Sequence, residues 1–236
     1  MREAGRIVGQ TLALLAEQVR PGITTAQLDQ IAYDFIRSRG AVPSFKGYNG
    51  FTGSICTSVN DEIVHGIPGP RVLAEGDIIS LDCGAFSRGY HGDAATTVGV
   101  GQIDPAAQKM IDAGWESLFA GIKQAHAGAH IGDISAAIQR PLEAAGYGVV
   151  RDLVGHGIGR HLHESPNVPN FGLPGQGMRL VPGLTIAIEP MLTQGTYENR
   201  TLADDWTIVT ADGGLAVHVE HTIAITEGEP EILTLP

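Results

Sequence analysis

The chain repeats itself once, and the repeat limits the folds open to it. The stretch VRPGITTAQLDQIAYDFIRSRG from Val19 is echoed by AHAGAHIGDISAAIQRPLEAAG from Ala125. Gly22 matches Gly128, Leu28 matches Ile134 and Gly40 matches Gly146, each 106 positions apart. GDIISLD from Gly76 is echoed by GLTIAIE from Gly183, 107 positions on. His65-Gly66-Ile67 and His156-Gly157-Ile158 also resemble one another, at an offset of 91. This period is longer than that of stacked solenoid repeats. It predicts one domain over residues 1–236, built from two pseudo-symmetric halves, roughly 1–110 and 111–236, with a site between them. Each half should supply a helix, a His-Gly-Ile turn and a strand ending in a carboxylate, Asp82 in one and Glu189 in the other.

Local patterns fill in the halves. Ile7, Val8, Leu12, Leu15 and Val19 fall near one helical face, and Pro21-Gly22 stops that helix. Thr24 or Thr25 can cap a second helix carrying Leu28, Ile31, Ala32, Phe35 and Ile36, closed by Gly40. A helical pattern also covers Ala106–Gln124. Ile78–Leu81 and Thr185–Ile188 read as apolar strands, and Val217–Ile225 as one strand alternating through His218, Glu220 and Thr222. Such a mixture, with Gly-rich turns, is an α+β pattern.

Charge and composition exclude several functions. Acids outnumber bases by 26 to 15, a net charge of −11, which argues against a broad basic face for nucleic acid. No apolar run approaches the length of about 18 residues that a membrane span needs. Arg2, Glu3 and Arg6 interrupt the N-terminal segment, so it does not read as a signal peptide. Two cysteines, Cys56 and Cys83, make no disulfide framework and fit a reducing cytoplasm.

The carboxylates carry the chemistry. A buried carboxylate is costly unless it meets a cation or a proton. Asp82 follows Ile78, Ile79 and Leu81; Glu189 follows Thr185–Ile188 and precedes Pro190, which ends ladder pairing. Asp93 comes 11 residues after Asp82, a spacing suited to the next strand of a hairpin, and Glu220 sits in the alternating segment. His156 lies between Gly155 and Gly157, which permit close backbone approach. Four carboxylates and an imidazole balance two divalent cations, and favour manganese, iron(II) or cobalt over a thiolate-type zinc site. Two such ions can hold one hydroxide and polarise a carbonyl.

Eight stations, taken in order, resemble type I methionine aminopeptidase, a peptidase of the pita-bread metallohydrolase family. They are GYNGF from Gly47, SVNDEIVHGIP from Ser58, GDIISLD from Gly76, HGD from His91, GHGIGR from Gly155, LHESP from Leu162, IEPM from Ile188 and VEHT from Val219. The resemblance covers essentially the whole chain. It implies an α+β pita-bread fold, with two pseudo-symmetric halves around a central dinuclear metal site in a single catalytic domain. Asp82, Asp93, His156, Glu189 and Glu220 would hold two divalent ions, drawn from cobalt, manganese, iron(II), zinc and nickel, with Asp93 and Glu220 bridging them. His65 would contact substrate near the scissile amide and His163 its carbonyl oxygen, while Glu189 would also shuttle a proton. Tyr48, Phe51, Cys56, Leu162 and Trp206 would line the pocket for a methionine side chain. The family usually has Phe where Leu162 stands and often Tyr at Phe51; both departures leave the pocket apolar.

The implied activity is removal of the initiator methionine when the second residue is small, by two-metal hydrolysis with a bridging hydroxide. The implied partners are the N-termini of nascent polypeptides, with the ribosome as a candidate contact. A cytoplasmic monomer is expected, with no membrane and no nucleic-acid specificity. Prolidase and aminopeptidase P share the metal pattern but carry a large N-terminal domain, for which the helix at the start of this chain is expected to leave no room. Type II enzymes carry an insertion between the last two glutamates, and only 31 positions separate Glu189 from Glu220. Two other readings stay open on the residues. One is a different hydrolase built on His161 and His163, since alternate residues of a strand share a face. The other is a non-catalytic binding protein of the same fold, whose signature would be a lost metal ligand.

Overall fold

The computed structural model describes residues 1–236. Helix α1 spans Arg2–Gln18 and α2 Thr25–Ser38, while α3 spans Pro105–Gln124 and α4 Ile131–Ala144. Thr24 caps α2: its hydroxyl accepts from the Gln27 amide, and the Gln27 side chain accepts from the Thr24 amide. Two orphan donors at the helix start are thereby satisfied. At α4 the cap is His130, whose amide donates to Asp133 Oδ2 at 2.7 Å. Asp104 caps α3, with Pro105 at the first helical position, where a missing N–H costs nothing.

Antiparallel strands make up the inner layers. In the first half, Ile78–Ser87 pairs with Val42–Pro43, Cys56–Val59 and Tyr90–Gly99. In the second, Thr185–Ile188 lies between His221–Ala224 and Gly155–Gly157, with Glu231–Ile232 and Glu164–Val168 at the edges. A further sheet places Met191–Thr193 between Ala216–His218 and Gly148–Val149.

Each half has its own core. Ile7, Val8, Leu12, Leu15, Leu28 and Ile36 pack with Ile79, Leu81 and Cys83. Met110, Leu118, Ile122, Ile134, Ile138 and Leu142 pack with Ile186, Ile188, Leu192 and Val217. Each fully buried aliphatic side chain contributes about 1.5–3 kcal/mol of transfer free energy, so the two cores dominate the stabilisation.

Paired positions of the two segments share backbone conformations. Gly22 and Gly128 take φ of +91° and +93°, and Gly76 and Gly183 take +91° and +90°. Those are left-handed conformations in which a side chain would be strained. Helices α2 and α4 each run 14 residues. The residue before each makes an isolated antiparallel bridge, Thr24 with Val72 and His130 with Arg179.

The halves meet along one seam. Ala95 and Glu220 exchange backbone hydrogen bonds at 3.3 and 2.9 Å. Thr222 Oγ1 accepts from the Asp93 amide and donates to the Asp93 carbonyl, while Thr97 Oγ1 accepts from the His218 amide and donates to the His218 carbonyl. Asp93 and Glu220 are therefore fixed by the same set of bonds that joins the halves.

Three expectations need correction. Val217–Ile225 is not one strand: Ala216–His218 pairs with Met191–Thr193, and His221–Ala224 pairs with Thr185–Ile188. Pro190 lacks an N–H and breaks the facing strand, and Glu220 turns instead to Ala95. Asp82 does not end its strand, which continues to Ser87 because Tyr90–Gly99 pairs along its whole length. The His-Gly-Ile segments are not equivalent: His156 lies in the Gly155–Gly157 strand, whereas His65 follows a strand with φ of +60°.

Candidate metal centre

The residues singled out in the sequence converge on one cavity of about 640 Å³ between the halves. Asp82, Asp93, His156, Glu189 and Glu220 line it, as do His65 and His163 and the pocket residues Tyr48, Phe51, Cys56, Leu162 and Trp206. Their placement follows from the strands. Asp82 and Asp93 come from the two arms of one hairpin, where Asp82 faces Ala95 and Asp93 faces Gly84. Glu189 and Glu220 occupy the two facing interruptions created by Pro190. Ile188 pairs with His221 on one side of that gap and Met191 with His218 on the other. Asn170 Nδ2 donates to the Glu189 carbonyl at 3.0 Å and holds this irregular backbone in place.

His156 reaches the acids from the facing strand. Its Nε2 lies 3.7 Å from Glu189 Oε1 and 4.0 Å from Asp93 Oδ2. Its Nδ1 is 2.8 Å from the Gly157 carbonyl and must be the protonated nitrogen, which leaves the Nε2 lone pair free to ligate. The flanking glycines serve neighbouring strands: a side chain at Gly155 would meet the Ala187 carbonyl, and one at Gly157 the Ser165 carbonyl.

The electrostatics fit cations. Ligand atoms of Asp93, His156 and Glu220 lie within 4.8 Å of one another. Asp82 Oδ1, Asp93 Oδ1 and Glu220 Oε1 are buried with no hydrogen-bond partner. A buried polar atom left unpaired is expensive. Burial pushes Asp82 up to about 7, with the Glu189 charge adding to the rise and His218 opposing it. Burial, then the charges of neighbouring carboxylates, hold Asp93 and Glu220 well above the ordinary carboxylate range. Protons or divalent cations relieve such a cluster, and oxygen-rich donors with one imidazole suit first-row divalent ions.

The remaining wall is apolar. Phe45, Phe51, Cys56, Ile158 and Leu162 form a small cluster against Tyr48 and Trp206. Phe51 meets Trp206 edge to face, with ring centroids 5.0 Å apart. Trp206 is set by a tight turn in which the Asp204 carboxylate accepts from the Trp206 and Thr207 amides. Burial and the nearby Asp82 and Asp93 charges push the Cys56 thiol well up, so it is a neutral wall atom and no nucleophile.

His163 stands over the acids, with its ring 4.3 Å from that of His156. The Tyr48 hydroxyl lies 2.7 Å from His163 Nδ1. A phenol donating there leaves Nε2–H as the free donor. Burial, then His156, lower the pKa of His163, so the ring is neutral near pH 7. His163→Ala should therefore keep the cation site and lose on the order of a hundred- to a thousandfold in kcat. Metal content and turnover, determined together, check this expectation; loss of metal would show that His163 serves the site itself. His161 lies outside the cavity lining, and the 161–163 segment is not a strand, so no His161–His163 pair forms on a shared face.

A buried imidazole of the lining escaped the sequence reading. His218, buried, points Nε2 at Glu189 Oε2 and Glu220 Oε2. Its signal was its position two residues before Glu220, on the same face by alternation. Phe45, which carried no motif, and Met191, the last residue of the IEPM station, also line the cavity.

Comparison with known proteins agrees with this geometry. Residues 1–227 match the model of metallopeptidase family M24. A methionine aminopeptidase of Clostridium acetobutylicum is 56% identical over 236 residues, covering 100% of this chain and 94% of its own. The crystal structure of a methionine aminopeptidase from Thermotoga maritima superposes with a TM-score of 0.98 at 42% identity, covering 100% of this chain and 95% of that one. A prolidase from Pyrococcus furiosus, 20% identical, shares the fold with a TM-score of 0.81, this chain covering 62% of its length.

Proposed function

Because this chain belongs to metallopeptidase family M24 and has the pita-bread fold, we infer that it is a metallo-exopeptidase that removes the N-terminal methionine from polypeptides. The observation that carries this reading is the cavity. One wall is a set of buried, unpartnered carboxylates, and the opposite wall is an apolar cluster of Phe51, Cys56, Leu162 and Trp206. A methionine side chain suits such a wall, since its thioether packs well against aromatic rings.

Asp82, Asp93, His156, Glu189 and Glu220 are the residues that would hold two divalent ions. When bound, the ions supply Lewis acidity at the scissile carbonyl and lower the pKa of an attacking water. Glu189 takes the proton from that water and delivers it to the leaving nitrogen as the C–N bond breaks. His163 donates Nε2–H to the carbonyl oxygen as charge develops on it. His65, edge-on to Trp206 at 6.3 Å between centroids, borders the path of the second residue. The acidic wall attracts the free α-amino group, which restricts action to the first residue. The two halves are duplicated parts of one catalytic domain over residues 1–236. Its substrates are nascent-chain N-termini in the cytoplasm, on which it acts as a monomer, with the ribosome as a candidate contact. No helix is long and apolar enough to cross a membrane.

The second residue should decide the rate. It must pass between the acids and His65, so peptides with Gly, Ala, Ser, Thr, Cys, Pro or Val there should be cleaved and those with Lys, Leu or Phe should resist. A Met-X-Ser series measured under one set of conditions tests this. Equal kcat/KM for Met-Ala-Ser and Met-Lys-Ser would overturn the initiator-methionine reading.

A further inference from the structure

His218 is the one imidazole of the cavity whose place in the reaction is unassigned. Its side chain is 2% exposed and its Nε2 is buried with no hydrogen-bond partner. That nitrogen lies 3.6 Å from Glu189 Oε2 and 3.9 Å from Glu220 Oε2. The contacts sort the carboxylate oxygens. Glu189 turns Oε1 toward His156, at 3.7 Å, and Oε2 toward His218. Glu220 turns Oε2 toward His218 and leaves Oε1 buried and unpartnered. The backbone of His218 is clamped at both its N–H and its carbonyl by Thr97 Oγ1, at 3.1 and 2.7 Å. Its ring therefore springs from a fixed point and meets Glu189 at the oxygen that His156 does not approach. Both separations exceed a closed hydrogen bond, which needs about 3 Å, and a side-chain shift of about half an ångström would close the shorter one, to Glu189.

We propose that His218 is a positioning residue of the metal centre: its Nε2–H holds the outer oxygen Oε2 of Glu189, so that this glutamate presents Oε1, on the His156 side, to a divalent ion. The proposal rests on the reading of the cavity as a divalent-cation site. A donor behind a ligating carboxylate restricts its rotation and lowers the entropy lost on binding, and loss of such a partner typically weakens metal affinity by about 10–100-fold.

The test compares His218→Gln with His218→Met. The two side chains have nearly the same length, and only Gln carries an N–H. Manganese(II) is titrated into the full chain, with the free ion followed by electron paramagnetic resonance, and the thermal midpoint of the metal-free protein is measured alongside. His218→Met should bind manganese about 10–100-fold more weakly with its metal-free midpoint little changed, and His218→Gln should keep most of the affinity. Wild-type affinity in His218→Met would overturn the proposal. So would an equal loss in both variants, since that would make the imidazole itself a ligand. If His218→Met does not fold, His218→Gln decides: retained affinity supports the donor role and lost affinity refutes it. Failure of the unaltered protein to bind manganese would instead remove the cation site itself.

Discussion

Glu189→Gln is expected to lower kcat on Met-Ala-Ser by about a hundred- to ten-thousandfold, and added metal should not restore it. Two losses combine. The amide is a poorer ligand beside His156, whose Nε2 lies 3.7 Å from Glu189 Oε1. It also cannot accept a proton from water and return it to the leaving nitrogen. The backbone of Glu189 should stay in place, because the Asn170 bond to its carbonyl does not involve the side chain. Turnover with metal content determined in the same samples separates the two losses. Recovery of wild-type kcat at saturating metal would make Glu189 a ligand only, and the proton would need another carrier.

Removal of the divalent ions should abolish turnover and reverse the pH dependence of stability. Asp82, Asp93 and Glu220 have raised folded-state pKa values, first through burial. Above their ordinary values of about 4, the folded chain then binds more protons than the unfolded one. Stability of the metal-free protein therefore falls as pH rises from about 4 through the value of about 7 for Asp82. Cations reverse this, because they bind the ionised forms and so bind more tightly as pH rises. At a thousandfold excess over the dissociation constant the gain is about 4 kcal/mol, a midpoint shift on the order of 10 °C for a chain of this size. The gap between metal-loaded and metal-free midpoints should widen from pH 5 to pH 8. A metal-free midpoint that climbs over that range would contradict the account of the acids.

Much of this site was legible in the sequence, because its acidic residues sit at positions fixed by local rules. The spacing of Asp82 and Asp93 is a hairpin spacing, and the two residues come from the paired arms of one hairpin. The proline after Glu189 announced a ladder break, and the break is there. The capping threonine and the glycines that close the helices were readable for the same reason: each satisfies a backbone requirement within a few residues. What escaped depends on distant partners. Nothing local shows that Glu220 leaves its strand to bond Ala95, because the cause lies in Pro190 and in the other half. The strand through Asp82 runs on because a partner ten residues long lies beside it. The apparent match of His65 with His156 was misleading, since its offset differs from that of the other paired segments and the two backbones differ. His218 was read as one step of an alternating strand, and its role depends on where Glu189 arrives from the facing strand.

The most direct test is hydrolysis of Met-Ala-Ser and Leu-Ala-Ser by the same preparation as isolated, after exhaustive chelation and dialysis, and after manganese or cobalt is returned. Methionine should be released from the first peptide with little cleavage of the second, and activity should be lost on chelation and return with metal. Full activity in excess chelator, or equal cleavage of the two peptides, would contradict the proposed function.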